Sequence, residues 1–399
     1  MQEAPRILFA IQSYAKGAAA TADISADLID HIAACGFRTD VFCSNNNSNP
    51  RHNRAPVHER HGLIDIHRWN SPLSISGRYN QLFYLCGLFL YTIVHGHKYS
   101  IVVTTDEPYG ACFIVALIRL LYPRIRLICW VMDIGYVRTA RQKGKAVKRM
   151  LVSLIGRAIS WSYRRAAKVV VLGSCMRRLL ERQGISPLRL IEIPPWPPLD
   201  PLRALPAIES SFPDAPLAIL YSGHLGRWHE VPAIIKMLQE SRSLPVRFEF
   251  SAVGEGMSKI REFASCNPTS KVVFRGRVAV ESLRRHLEDA HIHLATLAID
   301  MEGTCVPSKV YAAMCVGRPV IFVGPRNCQA AIDIEASNGG FVITPGDHEA
   351  LLSTIRSLAA NPEICCVLGA NALAWYEKHR ARRVALQQWT DMVSPLLAL

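Results

Sequence analysis

The chain has 399 residues, half of them apolar, which excludes both a single small core and a disordered polymer and fits two domains of ordinary size. Its 46 Lys and Arg against 32 Asp and Glu leave a net charge of +14, pointing to nucleic acid, anionic lipid or phosphorylated ligands. No recognition motif or aromatic stacking platform accompanies the charge, which argues against nucleic acid.

The first residues run straight into Ile7-Leu8-Phe9-Ala10 without the charged start and long apolar stretch of a secretory signal, so a cytoplasmic protein is expected. The twelve cysteines include no repeated Cys-x-x-Cys, and the adjacent Cys365 and Cys366 are no metal motif; reduced packing residues are expected.

Apolar and polar residues predict a strand over 7–11, a helix over 21–35 and a strand over 39–43, followed by a polar, irregular excursion over 45–70. The apolar run 82–94 is 13 residues long, short of the roughly 20 that span a bilayer, and reads as a core helix or a shallow insertion. No transmembrane span is expected. Strands follow over 101–105, 127–131 and 168–172, with a helix over 176–183. Between the last two strands, residues 138–168 hold ten Lys or Arg and no acid, while Val147, Leu151, Leu154, Ala158 and Trp161 recur at spacings of four and three. This pattern fits either a helix resting on anionic lipid or a surface helix packed on its own domain.

Strand-helix alternation predicts parallel βαβ units. Eight prolines between 194 and 216 can sustain neither helix nor central strand and mark a linker over 196–216. The predicted organisation is an N-terminal domain over 1–195, a C-terminal domain over 217–378, and a last helix over 379–399 that returns to the first domain. Strands are predicted in the second domain over 218–222, 248–253, 272–274, 292–297 and 319–323.

Two stretches of this second domain carry candidate chemistry. Residues 291–323 read as strand, loop with one acid, Pro-Ser-Lys helix start, helix and strand; such a loop and helix start face the ligand in a parallel α/β domain. Glu302, with Gly303 and Thr304 beside it, Ser308 and Lys309 are therefore placed at a phosphate site, and Lys309 in a first turn opposes the helix dipole unless an anion is bound. Tyr221-Ser222-Gly223-His224-Leu225-Gly226-Arg227-Trp228-His229 reads as strand, glycine turn and basic residues. Here Arg227 either grips phosphate or is a surface Arg beside Trp228. In the first domain, Asp133 ends one strand and either orients an acceptor hydroxyl or caps a turn; Asp106 and Glu107 compete for that role.

The segment from Glu302 to Gly317-Arg318-Pro319-Val320 resembles the signature of the family 4 glycosyltransferases, and the likeness extends over most of the chain. Ala312 stands where the family commonly has a second acid that holds the donor's ribose. A Pro-Ser-Lys start without that acid is similar to a subgroup that builds bacterial envelope polysaccharides. The resemblance implies two Rossmann-like domains facing each other across a cleft (GT-B) and retaining transfer of a hexose from a nucleotide sugar, expected to be a UDP-sugar, without metal or cofactor. A lipid-linked or glycan acceptor at the inner face of the cytoplasmic membrane is expected, because the basic helix over 138–168 would hold the enzyme there. His224 and His229 fall where the family's Arg and Lys clasp diphosphate, and as a pair they are expected to add charge below about pH 6.5. The small-residue loop containing Gly17 looks like the family's N-terminal glycine-rich loop, and Gly254-Glu255-Gly256 like its C-domain glycine turn. Two other readings stay open: an epimerase or phosphorylase on the same fold, distinguished by its products or by dependence on phosphate, and a non-catalytic membrane-associated assembly factor, which would bind no sugar nucleotide.

Overall fold

The computed structural model of the protein describes residues 5–14, 20–45, 55–70, 78–106, 108, 110–140, 146–199, 216–276 and 278–398. Two compact units divide the chain, each built on its own parallel sheet.

The first unit comprises Met1–Pro194, Gly303–Cys305 and Ala385–Leu399. Its strands are β1 (Arg6–Ala10), β2 (Arg38–Ser44), β3 (His58–His61), β4 (Ile64–Trp69), β5 (Tyr99–Thr105), β6 (Arg126–Val131), β7 (Lys168–Val171) and β8 (Leu190–Glu192). They lie in the order β3-β4-β2-β1-β5-β6-β7-β8, parallel except for β3 against β4. The unbroken apolar runs of β1, β5 and β6 suit strands covered on both faces. One expectation is corrected. Residues 58–69, within the predicted irregular excursion, form a hairpin turning at Gly62, with Ile64 and Ile66 buried; two isoleucines among polar residues gave too short an alternation to read. The run 82–94 belongs to the longer helix Arg78–His95, which buries Tyr84 and Leu88 but exposes Leu82, Leu90 and Val94, so it is only half a core helix.

The second unit comprises Pro195–Glu302 and Val306–Val384. Its strands β9 (Leu217–His224), β10 (Val246–Val253), β11 (Val272–Phe274), β12 (Ile292–Thr296), β13 (Val320–Val323) and β14 (Gly340–Ile343) run parallel in the order β11-β10-β9-β12-β13-β14. Ile219, Tyr221, Phe248, Phe250, Ile292 and Leu294 line one core face. Because β10 lies on one side of β9 and β12 on the other, the connections leaving β9 and β12 diverge, opening a crevice at the carboxyl ends of these strands.

All twelve cysteines are free: seven are buried, as packing residues should be, while Cys35, Cys86, Cys266 and Cys366 are exposed. Among the described residues no single helix is long and apolar enough to cross a membrane.

Candidate functional site

The crevice of the second unit is built on glycine. At the end of β9 the chain turns through Gly223, with φ +97°, and meets the turn after β10. Leu225 N–H donates to Val253 O at 2.7 Å and Gly256 N–H to Leu225 O at 2.9 Å. A Cβ on Gly254, whose φ is +118°, would stand 2.6 Å from Leu225 O and 2.9 Å from the His224 ring. The two loops can therefore touch backbone to backbone only with glycine there.

The loop after β9 is also fastened to β12. His229 Nδ1 donates to Thr296 O at 2.6 Å, Glu230 N–H to Thr296 Oγ1 at 3.2 Å, and Ala298 N–H to Trp228 O at 2.8 Å. A 3-10 turn, Ile299–Met301, then delivers Glu302, which is partly exposed. Pro307 precedes the helix Ser308–Cys315, fitting an extended residue at its cap. Lys309 in the first turn reaches back to β9, where Nζ donates to Tyr221 Oη at 2.6 Å and to His224 O at 2.8 Å and lies 4.0 Å from the Tyr221 ring centroid. These oxygens and the ring face offset the dipole conflict noted from sequence and hold the ammonium at the strand's carboxyl end.

The histidine pair adds less charge than expected. Burial and then the Lys309 ammonium lower the pKa of His224, and the same causes take His229 down to about 3, so the His229 ring is neutral near pH 6 and His224 is harder to charge than a free histidine. Positive charge in the crevice rests on Lys309 and on Arg227, an exposed guanidinium 3.3 Å from Glu255 Oε1 and 5.3 Å from the centre of the Trp228 ring.

In the first unit, Asp106 is buried and accepts from Met132 N–H at 2.8 Å and Asp133 N–H at 2.9 Å, so its carboxylate organises the end of β6. Asp133 is partly exposed and pairs through its backbone with Cys305, while Ile134 N–H donates to Thr304 O at 2.7 Å. Thr304 is fully buried, and a Cβ on Gly303 would stand 2.9 Å from Cys175 O. Gly303 and Thr304 are thus tightly packed, which leaves their backbone rather than the Thr304 side chain for any contact with a ligand. Gly17 and Glu107 lie outside the described residues.

Ala312 sits partly exposed one turn beyond Ser308. Arg318 is buried and donates to Glu288 O at 2.6 and 3.0 Å, closing the end of the helix Val280–Glu288, which gives the Gly-Arg-Pro run a structural part. The sequence singled out neither Tyr221 nor Thr296 as partners, because each reads as an ordinary inward residue of a core strand.

Residues 20–196 match the family described as Glycosyl transferase 4-like domain, and residues 216–361 match Glycosyl transferases group 1. A relative from Pseudomonas aeruginosa, "Probable glycosyltransferase WbjE", is 23% identical over 254 residues, covering 61% of this chain and 62% of that protein. Sucrose-phosphate synthase from Thermosynechococcus elongatus has a similar fold, with TM-score 0.74, 17% identity and 99% of each chain covered. Anabaena Alr3699/HepE in complex with UDP and glucose gives TM-score 0.70 at 14% identity, over 98% of this chain and 100% of that one. WaaG, a glycosyltransferase involved in lipopolysaccharide biosynthesis, gives 0.69 at 15% identity, over 97% and 99%.

Proposed function

We propose that this chain, a GT-B glycosyltransferase joining a glycosyl transferase 4-like domain to a group 1 domain, transfers a hexose-type sugar from a UDP-sugar to a lipid-linked acceptor in envelope polysaccharide synthesis. The choice of UDP follows the ligand of the similarly folded Anabaena protein, and the envelope setting follows the likeness to WaaG, a glycosyltransferase involved in lipopolysaccharide biosynthesis. Retention of configuration rests on the family 4 resemblance.

The observation that carries this reading is Lys309, whose ammonium is held by Tyr221 Oη and His224 O at the carboxyl end of β9, on the first turn of a helix. As the sugar-phosphate bond breaks, charge accumulates on the departing diphosphate. Lys309, Arg227 and the amide groups at the start of the helix Ser308–Cys315 stabilise that charge without a metal and without reorganising, which lowers the barrier. Glu302 holds the sugar hydroxyls. Asp133 orients the acceptor hydroxyl and takes its proton. The enzyme works in the cytoplasm, peripherally bound at the inner face of the membrane that holds its acceptor.

A panel of UDP, GDP and dTDP sugars tests the donor, with selective thermal stabilisation by a UDP-hexose expected and stabilisation by none of them counting against the reading. Replacing both Arg227 and Lys309 with Ala should weaken UDP binding by about tenfold or more, since hydrogen bonds to charged groups contribute about 1.5–3 kcal/mol each. Unchanged affinity in calorimetry would remove both residues from the diphosphate site. Glu302→Ala should abolish transfer with an unchanged melting temperature.

A further inference from the structure

The first unit exposes an apolar face that the transfer reaction does not use. The helix Arg78–His95 carries an outward stripe in which Leu82, Leu90 and Val94 are 58%, 53% and 61% exposed. The helix Ala111–Ile118 lies between it and the helix Ala146–Arg165, joined to the latter by an edge-on contact of Phe113 with Trp161 at 5.5 Å. On Ala146–Arg165, Leu151 and Leu154 are 52% and 50% exposed. After the middle helix, Leu120 and Leu121 project into solvent, and the next residue, Tyr122, donates to Ile93 O at 2.6 Å, which sets this pair beside the far end of the first stripe. Three neighbouring elements thus leave large aliphatic side chains uncovered.

The charge around this face is one-sided. Residues 78–180 contain 17 Lys or Arg and three acids, Asp106, Glu107 and Asp133; none of the three is on these helices, and Asp106 is buried against backbone amides. Arg124, Arg157 and Arg165 are exposed on the same elements. A solvated surface helix normally mixes both signs, whereas aliphatic stripes flanked only by cations are what the boundary of an anionic bilayer recognises.

We infer that the helices Arg78–His95 and Ala146–Arg165, with Leu120 and Leu121, form a membrane-docking face that inserts its aliphatic side chains among the headgroups of anionic lipid. This extends the proposed transfer to a lipid-linked acceptor and rests on it only for its purpose. Helices that cross between parallel strands run opposite to them, so the first half of Ala146–Arg165, with Leu151 and Leu154, lies toward the carboxyl ends of the first sheet, where Asp133 stands. Docking on this face brings that end of the sheet to the lipid surface.

Flotation with phosphatidylcholine vesicles, with and without phosphatidylglycerol, at about 0.1 M and about 1 M salt tests the inference. The full chain should bind the anionic vesicles and keep part of that binding at high salt, because inserted aliphatic groups are not screened. Leu82→Glu with Leu90→Glu should lower partitioning by about tenfold or more and abolish the salt-resistant part. Leu188→Glu, at an exposed leucine outside these elements, should change nothing. Leu151→Glu with Leu154→Glu reads the second helix independently, should the first pair fail to fold. Wild-type binding by both double variants, or no vesicle binding by the unaltered chain, would overturn the proposal. So would conversion of a dimer to a monomer by these variants without lipid binding, which would make the face a contact between copies. UDP-glucose calorimetry on the same samples separates the two readings: vesicle binding without donor binding would sink the transferase assignment and leave the docking face standing.

Discussion

Lys309 has the residue-scale lesson, because its partners decide what its charge can do. With Nζ held by Tyr221 Oη and His224 O, the ammonium is aimed before any ligand arrives. Tyr221→Phe keeps the ring that stacks on Phe250 at 6.2 Å but removes one of these holds. It is expected to weaken UDP-glucose binding about three- to tenfold, less than the full worth of one hydrogen bond to a charged group because Lys309 keeps its bond to His224 O, with the fold unchanged; calorimetry beside a thermal melt checks both. His229 supports a pH prediction of the opposite kind to that drawn from sequence. A histidine with pKa lowered to about 3 carries no charge between pH 6 and 8, so His229→Gln should leave the pH dependence of UDP-glucose affinity across that window the same as in the unaltered chain, within about twofold. Loss of a gain on acidification in the variant would mean that the bound donor itself charges His229. The placing of Glu302, Ser308 and Lys309 on the loop and helix start after β12 was legible from the strand-loop-helix pattern. The burial of Thr304 and the partnership of Tyr221 were not, since both depend on segments distant in sequence.

At the scale of elements, the helix Ser308–Cys315 is fixed from behind by a buried network. Tyr311 Oη donates to Asp333 at 2.8 Å, Gln329 Nε2 donates at 2.9 Å, and Arg380 meets the same carboxylate through two bonds of 2.7 and 2.8 Å. Asp333→Ala leaves a largely buried guanidinium, a phenol and an amide without their acceptor, and should cost about 3–5 kcal/mol, read as a lower urea midpoint. Apolar strands such as β1, β6 and β13 could be read directly, because a strand buried on both faces needs apolar residues on both. The hairpin at Gly62 and the short β8 and β14 escaped, each being only three to six residues long and carried by pairing rather than pattern. For the helix Arg78–His95 the pattern left a core helix and a shallow insertion both open, because apolar residues lie all round it; one face is buried and the other has no cover within the described residues.

For the molecule as a whole, burial of the kind that keeps His229 neutral makes stability depend on pH. His293 is fully enclosed in β12, with Nε2 donating to Leu287 O at 2.9 Å. Burial, assisted by Arg318 and partly opposed by that hydrogen bond, lowers its pKa to about 4. The unfolded chain takes up this proton near pH 6.5 and the folded one only near 4, so the contribution is complete above about 6.5 and falls away as acid is added. By pH 5 the single ring should cost about 2 kcal/mol of stability relative to neutral pH, and His67, His286 and His291, shifted the same way by burial, add to the slope. Self-repulsion of a chain already at +14 acts in the same direction, so the drop alone does not identify its source. His293→Gln separates them, because it deletes one titration and leaves the net charge at neutral pH unchanged. Urea midpoints at pH 7 and pH 5 should differ less for His293→Gln than for the unaltered chain, whatever the variant's own starting stability. Equal losses would assign the acid limb to charge repulsion rather than to the buried ring.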